Sequence, residues 1–278
     1  MTPQQTQRRD QILERARQET LLMGVLNATP DSFSDGGQFD RLEAAMAQAS
    51  KMIDEGADIL DIGGESTRPG ASLIPAEEEL ARTLPVIKAL SKQTDVPISI
   101  DTYKAGVARQ AVEAGAVIVN DISGLQRDPD MASVVADTDA VVVVTYNRGE
   151  ADASINLHDD TKSFFDRIFE QAEQAGIPRS HIWLDPGVGF AKTLEQNFQI
   201  LKMMDLLTAY DCPVLVGLSR KSFIGLTLDK PVDERLPGTL AAHLYSVAQG
   251  ARIVRAHDIG AHRDALMIME RLEQPFDD

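Results

Sequence analysis

The sequence predicts an α/β chain closed into a (β/α)8 TIM barrel, with an extra helix at its N-terminus. Eight short apolar, β-branched runs recur along the 278 residues. They do not alternate apolar with polar residues, which marks strands buried on both faces. Helix-period stretches separate them, and several close on glycine just before the next run: Glu55-Gly56-Ala57, Ala114-Gly115-Ala116, Ala175-Gly176 and Gln249-Gly250-Ala251. Glycine accepts the left-handed conformation that ends a helix. Helix then strand, repeated, requires parallel strands joined by crossover helices. No Pro/Gly/Ser-rich linker divides the chain, which favours a barrel over a two-domain doubly wound sheet.

The elements follow in order. Residues 1–20 precede the first strand, and their Gln, Arg and Glu content reads as an exposed helix that covers the barrel's bottom or frays. Strands are expected at Leu21–Ala28, Ala57–Gly64, Pro97–Thr102, Val117–Ile122, Ala140–Asn147, His181–Gly187, Pro213–Ser219 and Ala251–Asp258. Helices are expected at Ala44–Glu55, Ala76–Gln93, Lys104–Ala114, Thr161–Ala175, Glu195–Tyr210 and Leu240–Gln249, with a shorter one at Asp130–Thr138. Residues 21–278 are read as a single domain.

Composition narrows the function classes. Apolar residues at 43% and charged residues at 25% are globular values and exclude disorder. Lys and Arg number 27 against 43 Asp and Glu, a net charge of −16, which speaks against nucleic acid or an anionic membrane as partner. The one cysteine, Cys212, cannot form an intrachain disulfide. No apolar run approaches the roughly 18 residues of a membrane span. Residues 1–20 are polar and carry no signal-peptide core, so a soluble cytoplasmic protein is expected.

Polar residues collect at one end of the expected strands. Strand 1 runs out into Asn27-Ala28-Thr29-Pro30-Asp31-Ser32-Phe33-Ser34-Asp35-Gly36-Gly37, and strand 2 ends in Asp61 and then Gly63-Gly64-Glu65-Ser66-Thr67-Arg68-Pro69-Gly70. Asp101, Asn120, Asp185, Lys221, Arg255 and His257 close later strands. In a barrel these ends meet at the C-terminal mouth, where the active sites of this architecture lie. Turn preference explains the glycines and some aspartates. It does not explain Asp61, Asp101, Asn120, Asp185 and Arg255 at the edge of apolar runs, where a buried charge needs a partner or a ligand.

The groups sort by chemistry. Asp101, Asn120, Asp185 and Lys221 offer acceptors and donors to a planar, amide-like heterocycle; a pteridine's amidine edge pairs well with a carboxylate. Arg68, Arg255 and His257 suit a phosphate, and Asn27 offers an oxygen ligand to a hard cation such as Mg²⁺. The glycine-rich first and second loops read as lids. Blander readings compete: on position alone Lys221 is equally a solvated surface lysine, and a lone histidine such as His257 is usually structural. Asp61 is read as bonding to loop backbone or to arginine, Asp121 and Asp258 as turn or cap residues, and Lys104 as a surface residue.

Together these segments resemble the dihydropteroate synthase family from about Leu22 to Glu270. The run Met23–Gly37 and the run Gly63–Gly70 are specific to it. Ile100-Asp101-Thr102, Val119-Asn120-Asp121-Ile122, Leu184-Asp185-Pro186-Gly187, Gly217-Leu218-Ser219-Arg220-Lys221-Ser222 and Arg255-Ala256-His257-Asp258 follow in the family's order. The resemblance implies a TIM-barrel transferase of folate biosynthesis, typically a homodimer, that uses Mg²⁺. The implied reaction condenses 6-hydroxymethyl-7,8-dihydropterin pyrophosphate with 4-aminobenzoate, giving 7,8-dihydropteroate and pyrophosphate.

Carried over residue by residue, Asp101, Asn120, Asp185 and Lys221 hold the pterin and Asn27 binds Mg²⁺. Arg255 and His257, with Arg68 and Asn27 nearby, hold the pyrophosphate. Phe33, Ser34, Thr67, Pro69, Phe190 and Ser222 shape the aminobenzoate pocket, where sulfonamides are expected to compete. Departure of pyrophosphate leaves a carbocation that Asp101 and Asp31 stabilise and the arylamine captures, so Asp31, Asp101 and Lys221 form the implied catalytic set. On this reading Arg255→Ala weakens the pyrophosphate substrate while sparing free pterin.

Two departures from the family stand out. Thr145-Tyr146-Asn147-Arg148-Gly149 replaces a Met-His-Met or Met-His-Asn run, so Tyr146 or Asn147 is expected to form the pterin wall; Ala191 stands where glycine is usual. Two other functions compete. A methyltetrahydrofolate–corrinoid methyltransferase would share the pterin carboxylates but has no use for Arg68, Arg255 and His257. A non-catalytic pterin-binding paralogue has no need of intact first and second loops.

Overall fold

The computed structural model describes residues 1–28, 38–65 and 73–274, and within them eight strands form one parallel sheet. These are β1 (Leu21–Asn27), β2 (Ile59–Gly63), β3 (Ile98–Asp101), β4 (Ile118–Asp121), β5 (Val141–Thr145), β6 (Ile182–Asp185), β7 (Leu215–Val216) and β8 (Ile253–Ala256). Their order is β6-β5-β4-β3-β2-β1-β8-β7. A parallel bridge between Leu184 and Val214 joins the two ends and closes the ring. The expected barrel is therefore the observed one.

The strands bury both faces, in two cores separated by the period of the strand. On β5, Val141 and Val143 join Met23, Ile59, Ile118, Trp183 and Ile253 in the barrel's interior. Val142 and Val144 join the outer core beneath the helices. That two-sided burial is why the runs read as continuous apolar stretches.

The outer layer consists of α2 (Gln38–Asp54), α3 (Ala76–Gln93), α4 (Ala105–Ala114), α5 (Met131–Thr138), α6 (Leu157–Ala175), α7 (Leu194–Lys202), α8 (Met204–Thr208), α9 (Ser222–Leu228), α10 (Leu236–Ala248) and α11 (Ile259–Glu273), numbered after an N-terminal α1 (Pro3–Gln18). The four glycines expected to close helices all have left-handed φ, and at Gly115 a Cβ would lie only 2.4 Å from that of Ser91.

Some boundaries differ from expectation. The stretch expected as one helix over Glu195–Tyr210 breaks at Met203, whose backbone leaves the helical region, into α7 and α8. β7 is short; Pro213, lacking an N–H, stands outside it. α9 and α11 fall outside the expected helices; at seven residues α9 is too short for helical periodicity to register.

The N-terminal helix covers the bottom of the barrel and does not fray. A capping box between Thr2 and Gln5 starts it, and Ile12 and Ala16 plug the interior core. Its polar residues, which suggested exposure, are the ones that pin it. Gln5 Nε2 donates to the carbonyls of Val112 (2.6 Å) and Ala116 (3.2 Å), Arg8 Nη2 to that of Thr94 (2.8 Å), and Arg9 pairs with Asp139.

Behind the mouth, two buried histidines tie β7 to β8. The N–H of Leu218 donates to His243 Nε2 (3.0 Å), so His243 carries its proton on Nδ1 and donates it to His262 Nε2 (2.9 Å). His262 Nδ1 then donates to the carbonyl of Asp258 (2.7 Å). The chain works only with both rings neutral. Burial, and for His243 the second ring, holds both below the ordinary histidine value. Unfolded, each takes a proton near pH 6.5, so this stabilisation is complete above about 6.5 and is lost as pH falls. We expect the gap in Tm between the wild type and His243→Gln to be level above about pH 7 and to shrink as pH falls from about 6.5 to 5.5. A gap independent of pH would refute the neutral chain.

Candidate functional site

At the C-terminal ends of the strands the interior changes from apolar to polar. Asp61, Asp101, Asn120, Thr145, Asp185 and Arg255 all continue the inward-facing parity of their strands, two residues above an interior-core position or its equivalent. Parallel register then sets them side by side: Asp101 beside Asn120, and Thr145 beside Asp185.

Arg255 is the hub. Its Nε donates to Asp61 Oδ2 (2.6 Å) and its Nη2 to Asp101 Oδ2 (2.6 Å). Asn120 Nδ2 donates to the same Asp61 oxygen (3.0 Å). Asp61 therefore anchors the arginine, one of the two partners expected for it, and the asparagine as well. Asp61 Oδ1 and Asp101 Oδ1 are buried and have no protein partner. Burial drives Asp101 well above the usual carboxylate range, although Arg255 pulls it back. Burial alone would lower the Arg255 value, but Asp61 and Asp101 outweigh it and keep the guanidinium charged.

Asp185 and Lys221 lie near enough to influence each other's charge, without a direct contact. Burial raises Asp185, with Lys221 opposing, and Gly187 N–H donates to Asp185 Oδ1 (2.7 Å). Lys221 is lowered to about 8 by burial, with Asp185 holding it up. Its ammonium donates to the Val188 carbonyl and sits 4.7 Å from the centroid of the Phe190 ring. Lys221 is thus an inward residue, not a solvated one. Gly187 has φ +67°, and a Cβ there would fall 2.0 Å from the Tyr146 carbonyl oxygen, so only glycine lets this loop approach. Ala191 also takes a left-handed φ of 45°, which accounts for the glycine usual at that position and costs about 1 kcal/mol.

The remaining positions fall around this centre. Asn27 ends β1, in register with Gly63; a Cβ on Gly63 would lie 3.6 Å from Asn27 Oδ1 and 3.9 Å from Asp101 Oδ2. His257 Nδ1 pairs with Ser219 Oγ (2.9 Å). Ser222 opens α9 and is exposed. Asp31, Phe33, Ser34, Thr67, Arg68 and Pro69 lie outside the described residues.

Two residues, Tyr146 and Lys104, correct the sequence reading. Tyr146 does not face the mouth: its ring packs against Phe164 and Phe165 of α6, and its hydroxyl donates to Asp160. Asn147 lies nearer the mouth, its Nδ2 donating to the Ile122 carbonyl (3.0 Å). Lys104 is not a surface residue. Its ammonium bridges Glu65, at the base of the second loop, and the buried Glu79 of α3, while the Tyr103 hydroxyl also donates to Glu65 (3.0 Å). Lys192, which carried no assigned role, donates to the carbonyls of Tyr146 (3.0 Å), Gly187 (2.9 Å) and Phe190 (3.2 Å), bracing the loop that presents Asp185. Burial lowers it to about 7. Its only signal in the sequence is a lysine inside a glycine-rich turn.

A network of carboxylates with one arginine, with an aspartate and a lysine nearby, suits a flat polar heterocycle bearing an anionic arm. Comparison with known proteins agrees. The family model described as pterin binding enzyme matches residues 23–257. The dihydropteroate synthase of Bacillus subtilis is 47% identical over 243 residues, covering 87% of this chain and 85% of that one. That of Synechocystis is 46% identical over 260 residues, 91% of this chain and 90% of that one. Among solved structures, a dihydropteroate synthase from Clostridium difficile in the presence of pteroic acid superposes with a TM-score of 0.90 at 44% identity, over 93% of this chain and 98% of that one. One from Xanthomonas albilineans with 4-aminobenzoic acid gives 0.89 at 42% identity, over 93% and 95%.

Proposed function

The chain belongs to the dihydropteroate synthase family of pterin-binding enzymes, and from that premise we propose that it joins 6-hydroxymethyl-7,8-dihydropterin pyrophosphate to 4-aminobenzoate. The products are 7,8-dihydropteroate and pyrophosphate, a transferase step of folate biosynthesis. The observation that carries this reading is the buried Asp61–Arg255–Asp101 network, with Asp185 and Lys221 in the same electrostatic neighbourhood.

Asp185 takes the amidine edge of the pterin, its carboxylate accepting two parallel hydrogen bonds, and Lys221 donates to the ring. Asp101 and Asn120 hold the opposite side, with Asp101 Oδ1 free to accept. Arg255, His257 and Arg68 receive the pyrophosphate. The C–O bond to the exocyclic methylene breaks heterolytically and its electron pair leaves with pyrophosphate. The resulting cation is delocalised into the dihydropterin and stabilised electrostatically by Asp101 and Asp31. The arylamine lone pair then forms the new C–N bond and the amine sheds a proton. Phe33, Ser34, Thr67, Pro69, Phe190 and Ser222 form its pocket. No enzyme nucleophile is needed; the buried Cys212 thiol is pushed up to about 11 by burial and lies just before β7, on the side away from the mouth.

The donors present suit Mg²⁺. Asn27 offers one neutral oxygen at the lip beside Asp101, and Mg²⁺ prefers few protein ligands, retaining water and binding substrate phosphates. When bound it would neutralise charge on the leaving group.

We also read residues 21–278 as one domain of a soluble cytoplasmic enzyme. No helix among the described residues is long and apolar enough to cross a membrane. Homodimerisation is supported by Leu226, Tyr245, Met267, Ile268 and Leu272, all exposed on α10 and the two helices packed against it, α9 and α11.

The test is pyrophosphate release from the pterin pyrophosphate, with and without 4-aminobenzoate. Release that depends on 4-aminobenzoate and yields dihydropteroate supports the reading. Tight pterin binding without release would replace it with a non-catalytic pterin binder.

A further inference from the structure

Thr145 ends β5 with its side chain facing into the barrel, on the parity of Val141 and Val143. It is 0% exposed, and its Oγ1 has no hydrogen-bond partner. A buried hydroxyl left unpaired costs about 1–3 kcal/mol, so its persistence calls for a partner that the protein itself does not provide. Other inward atoms share this state, but their positions differ. Ser99 and Trp183 sit two residues below Asp101 and Asp185, inside the plugged interior. Thr145 stands level with Asp185, its register partner, in the polar layer at the C-terminal ends of the strands.

We propose that the Thr145 hydroxyl is a pterin-binding and specificity-determining group, forming a hydrogen bond with the amidine edge of the pteridine beside the Asp185 carboxylate. This rests on the function proposed above and extends it to a polar contact at a position where the family often carries an apolar methionine. An exocyclic amino group has two hydrogens. A carboxylate that pairs with the amidine takes one of them, and a hydroxyl on the adjacent strand is placed to accept the other. The apolar alternative, a methyl wall for the ring, makes the opposite demand on the side chain, which gives the test its discrimination.

The experiment compares Thr145→Val, which keeps the shape and removes the hydroxyl, with Thr145→Ser, which keeps the hydroxyl and removes the methyl. Affinity for 6-hydroxymethyl-7,8-dihydropterin pyrophosphate, the KM for 4-aminobenzoate and the ligand-free Tm are measured for each. We expect Thr145→Val to bind the pterin roughly tenfold more weakly, with an unchanged KM for 4-aminobenzoate. Its ligand-free Tm should be equal or higher, since an unpaired buried polar atom has been removed. Thr145→Ser should stay within about threefold of wild type. Pterin affinity of Thr145→Val within twofold of wild type, or a larger loss in Thr145→Ser than in Thr145→Val, would overturn the role of the hydroxyl. Failure of the wild type to bind the pterin would instead overturn the functional reading, and this inference with it.

Discussion

Arg255→Ala is expected to abolish measurable turnover and to destabilise the fold by about 3–5 kcal/mol, the cost of removing one partner from a buried ion cluster. The guanidinium is the cation between Asp61 and Asp101, both buried, and Asn120 shares the Asp61 oxygen it holds. Without it two carboxylates face each other in the barrel's interior. Asp101, already raised, rises further and takes a proton, so the variant's stability deficit should narrow as pH falls. The sequence-based expectation that free pterin binding survives this change therefore needs revision. Arg255 spends Nε and Nη2 on Asp61 and Asp101, and Asp101 is proposed to hold the pterin, so affinity for free 6-hydroxymethylpterin should fall along with that for the pyrophosphate. Arg255→Lys should rescue little, because an ammonium cannot fork between two carboxylates in fixed geometry. Urea unfolding at several pH values, with calorimetry on both ligands, checks the set. Unchanged stability together with untouched free-pterin binding would remove Arg255 from the hub.

The barrel was legible because its physics is repetitive. Strands buried on both faces leave apolar runs, and the glycines that close the helices leave marks at regular places, so the eightfold pattern could be counted. The site was legible wherever burial and charge conflict: Asp61, Asp101, Asn120, Asp185 and Arg255 interrupt apolar runs, and each proved to face inward. The same two-sided burial hid the parity of β5. In Val141–Thr145 every residue is buried, so nothing in the run says whether Thr145 or Tyr146 faces the barrel interior, and a one-residue slip exchanges the two faces. Residues that act through backbone were the least visible. Lys192 binds three carbonyls, and Gln5 and Arg8 reach carbonyls of residues about 80–110 positions away, which side-chain identity alone does not announce. Lys104 was misread because its partners, Glu65 and Glu79, come from β2's end and from α3, and only the closed ring brings them together.

Asp185→Asn should weaken every pterin ligand by roughly 10- to 100-fold, the worth of a charge-assisted hydrogen bond exchanged for a neutral one. The amide keeps the shape of the side chain and can still accept the Gly187 N–H, so the loop after β6 should hold and Tm should change little. The more discriminating effect is on pH. In the proposed role Lys221 must stay protonated to donate to the ring, and in the wild type burial has already lowered it to about 8. The alkaline limb of kcat/KM, which reports groups of the free enzyme, is therefore expected near pH 8, with activity falling as pH rises through it. The negative charge of Asp185 is what holds the Lys221 value up against burial and Arg255. Neutralising that charge should move the alkaline limb to lower pH, so the variant's deficit grows between pH 7 and 8. A deficit constant across that interval would mean the limb belongs to another group. An unchanged affinity for pterin would mean that Asp185 does not meet the amidine edge at all. Because the two readouts depend on the same carboxylate through different neighbours, the substrate in one case and Lys221 in the other, a loss of affinity with an unmoved limb would separate the binding role from the electrostatic one.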